Sequence, residues 1–123
     1  MMLVIGGMAS GKKEWVQEVL HLDPMTCTPE QALFAPAVLN FQETVRALIN
    51  GDTDLESYVC HLCHQNPSAV ILCDEVGMGV IPLTIEDRRW REAVGRACCL
   101  LQKECDTVVR VVCGLPMWLK GKP

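Results

Sequence analysis

No basic stripe runs along this chain. Its 123 residues carry 15 acidic against 11 basic side chains, a net charge of −4, and Arg88, Arg89 and Arg91 are interleaved with acids on one predicted helix. A nucleic-acid partner needs a clustered positive face to neutralise phosphates, so none is expected. Long apolar runs are also missing: nothing approaches the ~20 residues of a membrane span. Met1 to Ile5 reaches glycine at once with no basic region ahead of it, so neither a span nor an export leader is expected, and a cytoplasmic location is. No internal repeat is visible, and the length suits a single domain over 1–123.

A second set of metal ligands is missing as well. Cys60-His61-Leu62-Cys63-His64 has the C-x-x-C-H spacing of covalent haem attachment, and Cys60 with Cys63 could supply half of a zinc site. Haem of that kind needs export, and zinc needs a second pair. Cys98-Cys99 lacks the spacing and His21 is remote, so the cluster reads as a helix with partly buried thiols. The 8 cysteines otherwise fall inside apolar segments, as Cys73, Cys98, Cys99 and Cys113 do. Small buried thiols are the expectation there.

What is present starts at the first residues. Met2-Leu3-Val4-Ile5 reads as a strand running into Gly6-Gly7-Met8-Ala9-Ser10-Gly11-Lys12-Lys13, and Trp15, Val16, Val19 and Leu20 give the next segment one apolar helical face. Strand, glycine loop and helix are the context of the phosphate-binding pattern G-x-x-x-x-G-K-[ST]. There, backbone N–H groups cradle phosphates, lysine reaches the β and γ oxygens, and a hydroxyl coordinates Mg²⁺. The cradle residues and Lys12 are here; the hydroxyl is not, because Lys13 stands in its place.

Further along, Asp23-Pro24 and Thr28-Pro29 mark a loop or turn region. Ala37 to Asn40 reads as a short buried strand, and Gln42 to Ile49 as a helix stopped by Asn50-Gly51. Thr53-Asp54-Leu55-Glu56 reads as a capping box opening the next helix, which Asn66-Pro67 ends. Ala69 to Cys73 is a continuous apolar run, the pattern of a strand buried on both faces of a parallel sheet. Thr84 opens the longest helix, where Trp90, Val94, Ala97, Cys98 and Leu101 recur at helical spacing, and Thr107 to Cys113 forms a final strand. Trp90 is expected in the core or an interface rather than as a stacking platform. The alternation predicts an α/β fold with a small, mostly parallel sheet flanked by helices.

Ligands of such sheets sit at the carboxyl ends of the strands. The loop at 6–13, Asp74-Glu75 and Gly114-Leu115-Pro116 are all predicted to converge there. By spacing alone, Asp74 after an apolar strand imitates the acid that holds Mg²⁺ in phosphate-loop proteins. The alternative is that Asp74 and Glu75 only begin a loop rich in Gly77, Gly79 and Pro82.

Glu75-Val76-Gly77-Met78-Gly79-Val80-Ile81-Pro82, then Arg88, Gly95-Arg96 and Val112 to Lys120, together with Gly6 to Lys12, resemble the bifunctional adenosylcobinamide kinase / adenosylcobinamide-phosphate guanylyltransferase family of cobalamin biosynthesis. The resemblance implies a P-loop NTPase-like three-layer fold, assembly as a homo-oligomer (a trimer) and two reactions. One phosphorylates adenosylcobinamide from a nucleoside triphosphate, ATP or GTP. The other transfers GMP from GTP through a guanylylated histidine. Members are longer than this chain, which on this reading lacks the family's segment between the first helix and about residue 37. No histidine here matches the guanylylated one. Asn40 takes the place of an acidic Mg²⁺-site residue, and Asp74 that of an Asn, so Asp74 restores the carboxylate if the two strand ends are neighbours.

Two alternatives stand at this point. One is a kinase of adenosylcobinamide, with Lys12 and Asp74 as its catalytic residues, a nucleotide held by Gly6 to Lys13, and Mg²⁺ held weakly by Asp74 and Asn40. The other is a catalytically degenerate nucleotide- or corrinoid-binding or assembly protein. Lys13 would place a second ammonium near the phosphates in either case.

Overall fold

The computed structural model describes residues 1–76 and 84–122. Gly77, Met78, Gly79, Val80, Ile81 and Pro82, on which part of the family resemblance rests, lie outside the described residues. β1 (Met2–Gly6) leads through the glycine loop into α1 (Lys12–Leu20). Then come β2 (Met25–Thr26), the one-turn α2 (Pro29–Ala32), β3 (Ala37–Leu39), α3 (Phe41–Asn50) and α4 (Leu55–Gln65). β4 (Val70–Asp74), α5 (Ile85–Glu104), β5 (Thr107–Val112) and β6 (Leu115–Lys120) follow.

The strands form one 6-stranded sheet in the order β2-β3-β4-β1-β5-β6. β2 through β5 are parallel, and β6 runs antiparallel to β5. The fold is α/β with a mostly parallel sheet flanked by helices, consistent with a P-loop NTPase-like architecture. The apolar run of β4 is buried along Val70 to Cys73, as a strand covered on both faces requires. On one face α1 lays Trp15 and Val16 over Val4, Leu72, Val109 and Val111. Trp118 of β6 meets Trp15 edge-on, with ring centroids 6.0 Å apart. On the other face α3, α4 and α5 bring Phe41, Val45, Leu62, Ala97 and Leu101 against Leu3, Ile71 and Cys73.

The structure departs from the sequence reading in local ways. The stretch at 23–36 contains β2 and α2, the latter opened by a Thr28/Gln31 capping box. α4 is capped by Asp54, which accepts from the Ser57 N–H at 3.2 Å and the Ser57 hydroxyl at 2.6 Å. The predicted Thr53–Glu56 box is therefore not formed, and a single cap one residue later takes its place. Thr84 does cap α5. The strand at 107–113 is not the last one: Cys113 and Gly114, with φ of 51° and 76°, form a two-residue turn that folds β6 back onto β5. Two successive positive φ values match the right-handed twist of a hairpin. Pro116 is tolerated in β6 because this strand is at the sheet edge. The turn also exposes Cys113, and the outer side of α5 exposes Cys99, so these two thiols are not buried as expected.

Candidate functional site

The parallel strands end together, and register places Gly6 directly beside Asp74. From Gly6 the chain curls through Ala9 at φ 59° and Gly11 at φ 91° before α1 begins. A Cβ on Gly11 would lie 3.0 Å from Gly114 Cα, and one on Gly6 would lie 2.7 Å from the Val111 carbonyl oxygen. The loop is thus packed from beneath by the β5–β6 turn, whose Gly114 N–H donates to Ser10 O at 2.8 Å. Gly11 supplies no side-chain cap. The first-turn N–H groups of α1 therefore point out of the helix with the positive end of its dipole, an arrangement suited to an anion. Ser10 Oγ is buried there without a hydrogen-bond partner among the described residues.

Lys12 curls back into this loop. Its side chain is 8% exposed, its ammonium donates to Gly7 O at 3.1 Å, and it forms an ion pair with Asp74 Oδ1. The other carboxylate oxygen, Oδ2, accepts from Gln42 Nε2 at 3.0 Å, while Gln42 Oε1 accepts from the Asp74 backbone N–H at 3.0 Å. Gln42 Nε2 also reaches Asn40 Oδ1 at 3.3 Å, and Asn40 Nδ2 donates to Thr26 Oγ1 at 3.1 Å. A continuous polar chain thus crosses the ends of β2, β3, β4 and β1. Asn40 has φ 55°, a left-handed conformation that Asn adopts more readily than most side chains. Behind Asp74, the hydrogen bond with Cys98 and then burial push the Cys73 thiol upward, so it stays neutral against the carboxylate.

A second ion pair flanks the first. Arg110 of β5 grips Glu75 with two parallel bonds, Nε to Oε1 at 2.7 Å and Nη2 to Oε2 at 3.1 Å. Across the site, Trp90 Nε1 donates to Gln42 O at 2.8 Å and the Arg46 guanidinium lies 3.9 Å from the Trp90 ring centroid. The indole face is therefore covered by Arg46.

The loop at 6–13, Asp74-Glu75 and Gly114 do come together, as does Asn40; Leu115 and Pro116 leave along β6. Lys13 is exposed and forms no ion pair with any described residue. His21 follows α1, and His61 and His64 lie on the last turns of α4, at the amino edge of the sheet. Among the described residues no three His, Cys, Asp or Glu side chains gather as metal ligands, and Cys63 lies 4.0 Å from the Met1 sulfur. For Mg²⁺ the donors are a poor fit. Asp74 is already shared between Lys12 and Gln42, both arms of the Asn40 amide are used, and Glu75 is occupied by Arg110.

A sequence profile of the cobinamide kinase / cobinamide phosphate guanyltransferase family matches residues 26–119. The chain belongs to this family. Its match begins at Thr26, so it takes in Asn40, Gln42, Asp74, Glu75 and Arg110 but not the loop at 6–13. A bifunctional adenosylcobalamin biosynthesis protein, CobP, of Pseudomonas aeruginosa is 37% identical over 54 residues, which span 44% of this chain and 31% of that protein. The activities in the family's name and the role in the relative's name are those of cobalamin biosynthesis. No helix among the described residues is long and apolar enough to cross a membrane.

Gln42, Thr26 and the Glu75–Arg110 pair were not singled out from the sequence. For Gln42 a signal existed: it begins the stripe continued by Val45, Leu48 and Ile49, so a glutamine occupied an inward-facing position. Arg110 interrupts the apolar run of β5, and an arginine there calls for a carboxylate partner. Thr26 gave no such sign.

Proposed function

We propose that the chain binds the phosphates of a nucleoside triphosphate, ATP or GTP, in the loop at 6–13 and transfers the γ-phosphoryl group to the hydroxyl of adenosylcobinamide. The observation that supports this reading is the Lys12 ammonium, buried at the uncapped N-terminus of α1 and ion-paired to Asp74. An incoming triphosphate would meet backbone N–H groups and a cation fixed in place, which is most of what phosphoryl transfer asks of a protein. The acceptor oxygen bonds to the γ-phosphorus as the bond to the β,γ-bridging oxygen breaks; a nucleoside diphosphate leaves and the hydroxyl proton passes to solvent. Mg²⁺ arrives on the nucleotide in this reading, bound largely through phosphate oxygens and water. Asp74 and Asn40 add little to its hold. Transfer of GMP through a histidine is not part of the proposal, since His21, His61 and His64 sit away from the loop. Assembly as a homo-oligomer, with trimer the form the resemblance implies, belongs to the same proposal.

One observation favours a second reading, a nucleotide- or corrinoid-binding protein without turnover. Asn40 spends both arms of its amide on Thr26 and Gln42, a role in the structure rather than on a metal. Incubation with ATP or GTP, Mg²⁺ and adenosylcobinamide, followed by mass analysis of the corrinoid, decides between them. A product heavier by one phosphoryl group supports the kinase; nucleotide binding with no product at high protein concentration supports the second reading.

A further inference from the structure

We infer that Gln42 is the positioning residue of this site: it holds Asp74 by backbone and carboxylate at once, and so fixes where the Lys12 ammonium stands. This rests on the nucleotide-binding reading above. The geometry is a two-point clamp. The Gln42 side chain accepts from the Asp74 N–H and donates to Asp74 Oδ2, both at 3.0 Å, which leaves Oδ1 turned to Lys12. Gln42 itself is 5% exposed and cannot swing without unpairing buried polar groups, a loss that is costly where water does not replace them.

The clamp is itself held from behind. Trp90 Nε1 donates to the Gln42 carbonyl, and Phe41 beside it is fully buried. The first turn of α3 and the second turn of α5 are thereby joined at the residue that sets Asp74. Gln42 does not reach the loop at 6–13 directly. Its effect on a bound phosphate passes through Asp74 and then Lys12, and that ordering makes a specific demand. Removing Gln42 should matter only while Asp74 is present to be misplaced.

The test is a double-mutant cycle of Gln42→Leu and Asp74→Asn, with Mg·ATP and Mg·GTP affinities measured by titration calorimetry on the full chain. The expected result is that Gln42→Leu alone weakens nucleotide binding about 10-fold and that the double variant binds no more weakly than Asp74→Asn, since interacting sites are not additive. Unchanged affinity in Gln42→Leu, or losses that multiply in the double variant, would overturn the inference. Gln42→Glu covers the case in which Gln42→Leu does not fold. It keeps the shape but sets carboxylate against carboxylate, so binding should weaken, and adding Asp74→Asn should recover it because the Asn amide donates to the new glutamate. No recovery overturns the inference too. If the wild-type chain binds neither nucleotide, the function proposed above fails, and the clamp is read without ligand. Exchange of the Asp74 backbone amide should then be at least 10-fold faster in Gln42→Leu or Gln42→Ala, and unchanged exchange would overturn the clamp itself.

Discussion

Lys12 and Asp74 stand on opposite sides of the β1–β4 seam and neutralise each other at the mouth of the glycine loop. The pair is largely shielded, with side-chain exposures of 8% and 18%, and each member has a further partner, Gly7 O for Lys12 and Gln42 for Asp74. Its members are therefore costly to separate singly. Lys12→Ala leaves a shielded carboxylate without its cation and should lower stability by about 1–3 kcal/mol, below the range for fully buried pairs because Asp74 retains some solvent. Adding Asp74→Asn to that variant should restore part of the loss. Urea unfolding of the two variants checks both expectations.

Gly11 is held by conformation and by contact. Its φ is 91°, and an added Cβ would meet Gly114 Cα at 3.0 Å. Gly11→Ala should cost about 1–3 kcal/mol through left-handed strain and crowding of the β5–β6 turn. Gly7→Ala, where a Cβ would meet nothing within 4 Å, should cost much less. Thermal melts of the two variants make the comparison.

One face of the sheet has α1 as its cover, and Trp15 is the largest side chain in that layer. Trp15 is 7% exposed and packs against Trp118. Trp15→Ala should destabilise by about 3–5 kcal/mol, and loss of the edge-on contact should change the fluorescence of Trp118. A loss under 1 kcal/mol on denaturant unfolding would contradict this packing.

The thiols should divide by exposure. Cys60, Cys99 and Cys113 are exposed, whereas Cys27, Cys73 and Cys105 are buried, so an alkylating reagent on the native chain should label the first three rapidly and the others only after unfolding. Burial pushes the Cys105 thiol from 9.0 up to about 11. The folded state thus keeps a proton that the unfolded chain releases at lower pH. The stability this contributes is present below pH 9 and is lost as pH rises from about 9 to about 11, by up to about 2–3 kcal/mol. Cys105→Ala should flatten that part of the pH–stability curve.

The parts of this architecture that were legible in advance were those carried by repeating pattern. The apolar runs at 2–5 and 69–73 announced buried parallel strands, and the spacing of Val94, Ala97 and Leu101 announced α5. β6 escaped notice because Leu115 to Lys120 contains a proline and follows a Cys-Gly pair, whose turn geometry depends on Cys113 adopting a positive φ. β2, at two residues, is too short to show any period. At the site, glycine spacing and Lys12 marked the loop, and the acid after β4 marked Asp74. What joins them was not legible, since the clamp by Gln42 bridges residues 32 apart in sequence and exists only once β3 and β4 pair. The same holds for Arg110 and Glu75, 35 residues apart.

The central claim is that the loop at 6–13 is a phosphate site centred on Lys12, and it is tested most directly by titrating the chain calorimetrically with Mg·ATP and Mg·GTP beside Lys12→Ala and Lys13→Ser. Saturable one-site binding of at least one nucleotide is expected, with at least a 10-fold loss in Lys12→Ala. A loss in Lys13→Ser as well would assign the second ammonium to the phosphates. No binding of either nucleotide at millimolar concentration, or equal binding by wild type and Lys12→Ala, would contradict the account.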